Sequence, residues 1–206
     1  MFKLKLMTDT FYIKNFIIKY PYKFTLILKI YLLGVISLCF LFIFSNTFVF
    51  SFDTTAKSAI LYDETTNSVL FEKLADKPLP PASMSKLMTL LLTFEALEEK
   101  RISLTTKFRV SEKASKKGGS TMFLEKNQIV SVENLIKGIS VVSGNDACIV
   151  IAEGLNGTEE SFVQRMNLKA KDLNLLNSNF NNSTGWPSPG HVMRVRHLLK
   201  IALILK

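Results

Sequence analysis

The chain has 206 residues and a formal net charge of +9 at neutral pH. This length suits one well-packed domain with a tail, and a basic balance can indicate nucleic-acid binding. The charge is uneven, because residues 1–52 carry six lysines and one acidic residue. Since those lysines flank an apolar segment, we expect a membrane-related role for the charge and no nucleic-acid partner.

The apolar segment covers residues 30–52 and has no charged residue in 23 positions. A helix of this length can cross the hydrocarbon core of a bilayer, about 30 Å thick. The positive-inside rule then makes residues 1–29 a basic cytoplasmic lead and places residues 53–206 outside. Small residues at 54–56 offer a cleavage site. Both a removed signal peptide and a retained membrane anchor fit this pattern, with a periplasmic or membrane-anchored domain over residues 57–206.

The cysteines and histidines do not form a pattern that holds a metal. His191 and His197 lie six residues apart, and Cys148 has no ligand neighbour, so we expect neither a metal nor another cofactor. Both histidines are predicted at the surface or in turns. Cys39 lies in the apolar segment, on the other side of the boundary from Cys148, which argues against a disulfide.

The exported part is predicted to begin with a β-hairpin, because two short apolar runs at 58–63 and 68–72 flank turn residues. A helix over residues 82–100 should be buried, since it is apolar on nearly all sides. A short strand is predicted at 121–124, followed by a helix that begins at a Ser131 cap and runs to about Ser140. The next predicted helix runs from Ala147 to about Glu153 and is capped by Asp146, and Thr158 caps another. A loop over 177–191 and a last helix over 192–205 complete the predicted elements.

Ser83 and Lys86 form an S-x-x-K tetrad at the predicted start of the buried helix. Three residues are about one turn, so the hydroxyl and the amine share a face. A serine nucleophile needs a nearby base, and a lysine becomes one when burial or positive potential lowers its pKa. The alternative is that Ser83 caps the helix and Lys86 extends to solvent.

A second polar triplet, Ser143-Gly144-Asn145, follows 60 residues after Ser83 at a break between two predicted helices. Its hydroxyl could relay a proton, and its amide could hold a substrate carbonyl or fix the lysine. The alternative is an ordinary turn followed by the Asp146 cap. Together the two motifs are far more specific than either one alone.

The motifs resemble those of the serine D-alanyl-D-alanine carboxypeptidases, the low-molecular-mass penicillin-binding proteins. The resemblance covers about residues 56–200 and rests on the segments PPASMSKLMT, GGSTMFLE, SGNDACIVIAEGLNG and FNNSTGWPSPGH. It implies an α+β fold of the β-lactamase/transpeptidase type, with an antiparallel sheet packed against helices but without the C-terminal strands that include a K-T-G strand.

The resemblance also implies site roles. Ser83 would be acylated by the terminal D-Ala-D-Ala of a peptidoglycan stem peptide, and β-lactams would trap the same serine. Lys86 would be the general base, Ser143 the proton relay and Asn145 a substrate-binding residue. The backbone amide of Ser83 would supply half of an oxyanion hole.

The chain departs from the family pattern at the third motif. No K-T-G occurs, and Ser183-Thr184-Gly185 has no cation and precedes Trp186 and Pro187, which cannot continue as a paired central strand. Loss of one oxyanion donor costs on the order of 10²–10³ in rate. We therefore expect the chain, if it is complete, to be poorly active or inactive and marginally stable. A truncated reading frame or half of a split gene would explain the missing motif.

Two rival functions stay open at this stage. A class A β-lactamase shares the fold and the nucleophile, but the closest match to its deacylating E-x-x-L-N pattern, residues 153–156, is one residue short. A membrane-tethered pseudoenzyme would grip stem peptide or penicillin without turnover. Normal turnover of a D-Ala-D-Ala peptide by residues 57–206 would refute the expectation of inactivity.

Overall fold

The computed structural model describes residues 21–44 and 52–206, and the side chains at 21, 24 and 41–44 also lie outside this description. The chain divides into two compact units at the Asp53–Thr54 bond. Helix α1, Pro21–Phe44, belongs to the first unit. Of the predicted signal or anchor segment 30–52, residues 45–51 lie outside the described residues, as do residues 1–20 of the basic lead. Within the described ranges, no helix combines the length and apolarity that a bilayer crossing requires.

The second unit begins with the predicted hairpin, which the structure confirms. Strands β1, Ala59–Asp63, and β2, Ser68–Lys73, pair antiparallel with Ala59 opposite Lys73. The Asp63 carboxylate accepts hydrogen bonds from the Thr65 amide and the Thr66 hydroxyl, which closes the connecting turn.

The predicted helix over residues 82–100 divides into two elements. A 3₁₀ turn, Ala82–Ser85, follows the prolines and precedes helix α2, Lys86–Glu98. Ala82 has a left-handed φ of 49°, so the chain enters the turn from a bend. As predicted, α2 is largely buried, and most of its apolar residues pack into the two core clusters, although Phe94 is exposed.

The central helix of the second unit is α5, Asn145–Asn156. The elements around it in the chain are strand β3 Lys107–Arg109, helix α3 Glu112–Ser115, strand β4 Ile129–Ser131, helix α4 Val132–Val142, helix α6 Glu159–Asp172 and helix α7 Val195–Ile204. Strand β3 and helices α2, α3, α4 and α6 contact α5, whereas β4 pairs with β3 and α7 packs against α2 and β1. Every residue of α5 from Asn145 to Ala152 is buried. The predicted caps Ser131 and Thr158 are confirmed, because each side chain accepts a backbone N–H three residues later.

Three local predictions are wrong. Residues 121–124 form no strand. Helix α5 begins at Asn145 with no side-chain cap bond, so Asp146 is not its cap. Helix α7 begins later than residue 192, because Val192 and Met193 instead form isolated β-bridges with Asn179 and Leu79. The helices and short antiparallel sheets confirm the predicted α+β class.

Candidate active site

Ser83 and Lys86 are in hydrogen-bond contact at the junction of the 3₁₀ turn and α2. The Lys86 Nζ donates to Ser83 Oγ at 3.0 Å and to the Thr184 carbonyl oxygen at 2.9 Å. Ser83 is exposed, whereas only 4% of Lys86 is accessible to solvent. The α2 N-cap position belongs to Ser85. The alternative of a capping serine beside a solvent-extended lysine is therefore wrong.

The environment of Lys86 makes its neutral form easier to reach than it is in water. Burial lowers the pKa of the ammonium below its usual value because desolvation penalises the charged state; the nearby Cys148 acts in the opposite direction, and the positive charge of Lys117 lowers the pKa again. Cys148 on α5 is the neighbouring titratable group. Burial raises the pKa of its thiol to about 12, so the thiol is uncharged at neutral pH. An exposed hydroxyl beside a desolvated amine is the arrangement that nucleophilic catalysis requires.

Ser143 faces the same open cleft as this pair. It ends α4 in a left-handed conformation, with φ 57° and ψ 38°. The cleft has a volume of about 330 Å³ and is lined by Ser83, Met84, Lys86, Leu87, Leu90, Ile139, Ser140 and Ser143. The structure thus brings together the three residues predicted as catalytic, on a mainly apolar surface.

Asn145 is close to this region but is held by another loop. Its Nδ2 donates to the Gly118 carbonyl at 2.9 Å, and its backbone N–H donates to the Ser120 carbonyl at 2.7 Å. The side chain is 6% exposed and is not among the residues that line the cleft. Its substrate-binding role therefore stays a prediction, and its visible role is to anchor residues 118–120.

Asp146 holds the following loop segment, a role that sequence reasoning missed. Its buried carboxylate accepts the backbone N–H of Met122 and of Leu124 at 3.0–3.1 Å. Without this carboxylate, the two backbone N–H groups would lose this acceptor, and the bonds that they donate to it are charge-assisted. These bonds take the place of the strand predicted over residues 121–124.

The turn at 182–186 packs directly against the nucleophile segment. The Asn182 Oδ1 accepts the backbone N–H groups of Thr184, Gly185 and Trp186. Gly185 has φ +79°, and a Cβ there would lie 1.8 Å from the Ala82 carbonyl oxygen. As predicted, this segment is not a paired strand. The turn contacts Lys86 through the backbone carbonyl of Thr184, and a search for side-chain motifs does not reveal such a contact.

The prediction that both histidines lie at the surface or in turns is wrong for His197, which is buried within α7. His191 does end a turn, since its backbone N–H donates to the Ser188 carbonyl, but its side chain is buried. His191 Nε2 lies 2.8 Å from the Oγ of buried Ser85, and His197 Nδ1 lies 2.7 Å from Ser178 Oγ. Among the described residues, no group of three or more potential ligands surrounds a candidate metal position.

Comparison with known proteins places the chain in a family. Residues 45–206 match the peptidase S11 family, described as D-alanyl-D-alanine carboxypeptidase. The chain is 44% identical over 158 residues to D-alanyl-D-alanine carboxypeptidase DacF of Bacillus subtilis, covering 73% of the chain and 41% of that protein. It is 38% identical over 172 residues to DacC of Escherichia coli, covering 77% and 43% respectively.

Solved structures show the same relationship. D-alanyl-D-alanine carboxypeptidase DacD of Francisella tularensis superposes with a TM-score of 0.71 at 33% identity, over 73% of this chain and 37% of that one. Penicillin-binding protein 5 of Haemophilus influenzae superposes equally well at 32% identity, over 75% and 46%. The chain thus spans about two fifths of the length of the curated relatives it matches. It belongs to the D-alanyl-D-alanine carboxypeptidase family.

Proposed function

We propose that this protein is a serine-type D-Ala-D-Ala carboxypeptidase in which Ser83 is the nucleophile and Lys86 the general base. The observation that carries the proposal is the 3.0 Å contact between Lys86 Nζ and Ser83 Oγ, made by a lysine that is almost completely removed from water. Family membership supports it, because the relatives are named for this activity.

Each group has a defined task in the acylation step. Neutral Lys86 accepts the Ser83 proton as Oγ attacks the carbonyl carbon of the penultimate residue, and the carbonyl electrons move to oxygen. The Thr184 carbonyl stabilises the ammonium that forms, since it already accepts a bond from Nζ. Ser143 donates its own proton to the departing D-alanine amine as the peptide bond breaks and takes the proton held by Lys86 in return, which leaves Lys86 neutral and Ser83 esterified. Water then hydrolyses the ester on Ser83 and restores the free hydroxyl.

The proposed substrate is the D-Ala-D-Ala end of a peptidoglycan stem peptide. We place Asn145 in its binding because the residue lies at the start of α5 beside Ser143, within a loop network that fixes its amide. β-Lactams are the expected inhibitors. Penicillin-binding protein D2 of Listeria monocytogenes, 26% identical with a TM-score of 0.66, has been solved in an ampicillin-bound form.

A fluorescent penicillin tests the proposal directly. The parent should acquire one covalent label, and peptide mapping should locate it on Ser83. Ser83→Ala and Lys86→Met should abolish labelling, whereas Ser140→Ala should retain it, because Ser140 lines the same cleft without contacting Nζ. A label on another residue, or no label on a folded parent, would overturn the assignment.

We further propose that the second unit acts outside the cytoplasm, where a peptidoglycan substrate is located. The support is the asymmetry of charge, six lysines against one acid in residues 1–52, around an uncharged apolar run. Protease added to intact spheroplasts should digest residues 54–206. Protection of that unit until the membrane is permeabilised would contradict export.

A further inference from the structure

Glu159 carries a buried carboxylate and is not one of the residues that line the cleft. It is the first residue of α6, and only 7% of it is exposed. Its Oε1 accepts both the backbone N–H of Ser183, at 3.0 Å, and the Ser183 hydroxyl, at 2.7 Å. Its Oε2 pairs with the Lys113 ammonium at 2.8 Å. The carboxylate therefore joins helix α3 to the 182–186 turn through fully satisfied contacts.

Ser183 is held from its other side by helix α2. The Thr89 hydroxyl donates to the Ser183 carbonyl at 2.7 Å, and all three residues of this chain of contacts are buried. The next carbonyl along the turn belongs to Thr184 and accepts the 2.9 Å bond from Lys86. Because Ser183 is clamped between Glu159 and Thr89, the Thr184 carbonyl has little freedom to move.

The direction of that carbonyl matters for a lysine base. A neutral amine has two N–H bonds and one lone pair, and the lone pair must point to the Ser83 proton. Donation of one N–H to Thr184 orients the amine about its Cε–Nζ bond. Misplacement of reacting groups by about 1 Å can cost on the order of 10²-fold in rate.

We propose that Glu159 is a positioning residue for Lys86, acting through Ser183 and the Thr184 carbonyl. The proposal rests on the proposed function, since it assigns Glu159 a part in the same acylation step. Glu159 does not touch the nucleophile or the base. It fixes the turn that orients the base.

The structure provides a matched control for the charge. Lys113 also pairs with Glu160 Oε1 at 2.7 Å, but the Glu160 side chain is 74% exposed and contacts the solvent side of the pair. Glu160→Gln thus removes a partner of the same lysine without touching Ser183.

The other charged or titratable groups around Lys86 are Lys117 and Cys148, and the charges of Glu159 and Asp146 act on the Cys148 thiol.

The test compares the parent, Glu159→Gln and Glu160→Gln in their reaction with a fluorescent penicillin. We expect Glu159→Gln to lower the acylation rate at saturating penicillin at least tenfold per folded molecule, with the half-saturating concentration within twofold of the parent. Glu160→Gln should stay within twofold on both measures. Equal rates for the two variants would overturn the proposal.

Ser183→Ala supports the test if Glu159→Gln does not fold, because it deletes only the hydroxyl bond and keeps the backbone bond to Glu159. We expect a fall of at least threefold, and an unchanged rate would count against the proposal. The Lys86 ¹⁵Nζ resonance separates this result from a failure of the proposed function. Even in a parent that penicillin does not label, Glu159→Gln should shift that resonance and Glu160→Gln should not. Identical Lys86 resonances in both variants would refute the positioning role.

Discussion

Gly185→Ala should disturb the nucleophile through a backbone collision. Gly185 has φ +79°, and an added Cβ would lie 1.8 Å from the Ala82 carbonyl oxygen and 3.2 Å from the Ser83 nitrogen. Backbone atoms cannot move aside as a flexible side chain can, so the turn and the Ala82–Ser85 segment must separate. The chain offers a matched control in Gly190, which also has φ +79° but whose added Cβ would meet only Asn181 Nδ2, at 3.8 Å.

The two substitutions separate backbone strain from collision. An L-residue in the left-handed region costs roughly 1–2 kcal/mol, so Gly190→Ala should lower the free energy of unfolding by about that amount. Gly185→Ala carries the same strain plus about 1–3 kcal/mol for overpacking. If Ser83 moves by about 1 Å, its acylation rate should fall on the order of 10²-fold, whereas Gly190→Ala should leave the rate per folded molecule close to the parent's.

Urea unfolding measures the first quantity and fluorescent-penicillin labelling the second. Trp186, the single tryptophan of the sequence, adjoins Gly185 and reports on the turn through its fluorescence. Equal stability and equal acylation for the two variants would refute the claim that the turn and the nucleophile segment are in tight contact.

Three further predictions follow from buried contacts. Lys86→Met should abolish acylation yet preserve folding. Because the Lys86 pKa is lowered in the folded state, the unfolded state binds more protons at pH values between that pKa and about 10.4. Over this pH range the parent's free energy of unfolding should therefore rise with pH relative to that of Lys86→Met. Asp146→Ala should cost about 2–3 kcal/mol in urea unfolding, because the buried N–H groups of Leu124 and Ala147 and the part-buried N–H of Met122 lose their acceptor. Gly154→Ala should cost about 1–3 kcal/mol in the same assay, since its Cβ would lie 2.4 Å from the Phe108 ring; a cost below 0.5 kcal/mol for either of these two variants would contradict the packing described.

Local patterns predicted the parts of the fold that local physics decides. The hairpin at 59–73 follows from two short apolar runs around turn formers, and the helix caps Ser131 and Thr158 follow from a side chain that reaches a nearby N–H. The S-x-x-K pair was predicted for the same reason, because one helical turn fixes the spacing of Ser83 and Lys86.

The supports of the site could not be predicted in this way, because they join residues that are far apart in the sequence. The Lys86–Thr184 bond spans 98 residues and ends on a backbone carbonyl, which carries no side-chain signature. His191 lies in a segment rich in turn residues, yet it is buried because it bonds to Ser85, 106 residues earlier. The Asp146 side chain was predicted to cap the helix that follows it, but it instead accepts hydrogen bonds from the distant backbone amides of Met122 and Leu124.

The protonation state of Lys86 is the most direct test of the account, because a lysine that stays charged cannot take the Ser83 proton. Nuclear magnetic resonance of the folded chain with ¹³C-labelled lysine ε-carbons, assigned by comparison with Lys86→Met, measures its titration midpoint. We predict a midpoint clearly below the value of about 10.4 for a solvated lysine, with Ser83 acylation rising over the same pH range. A Lys86 midpoint at the ordinary value, or acylation that does not follow it, would contradict the proposed chemistry.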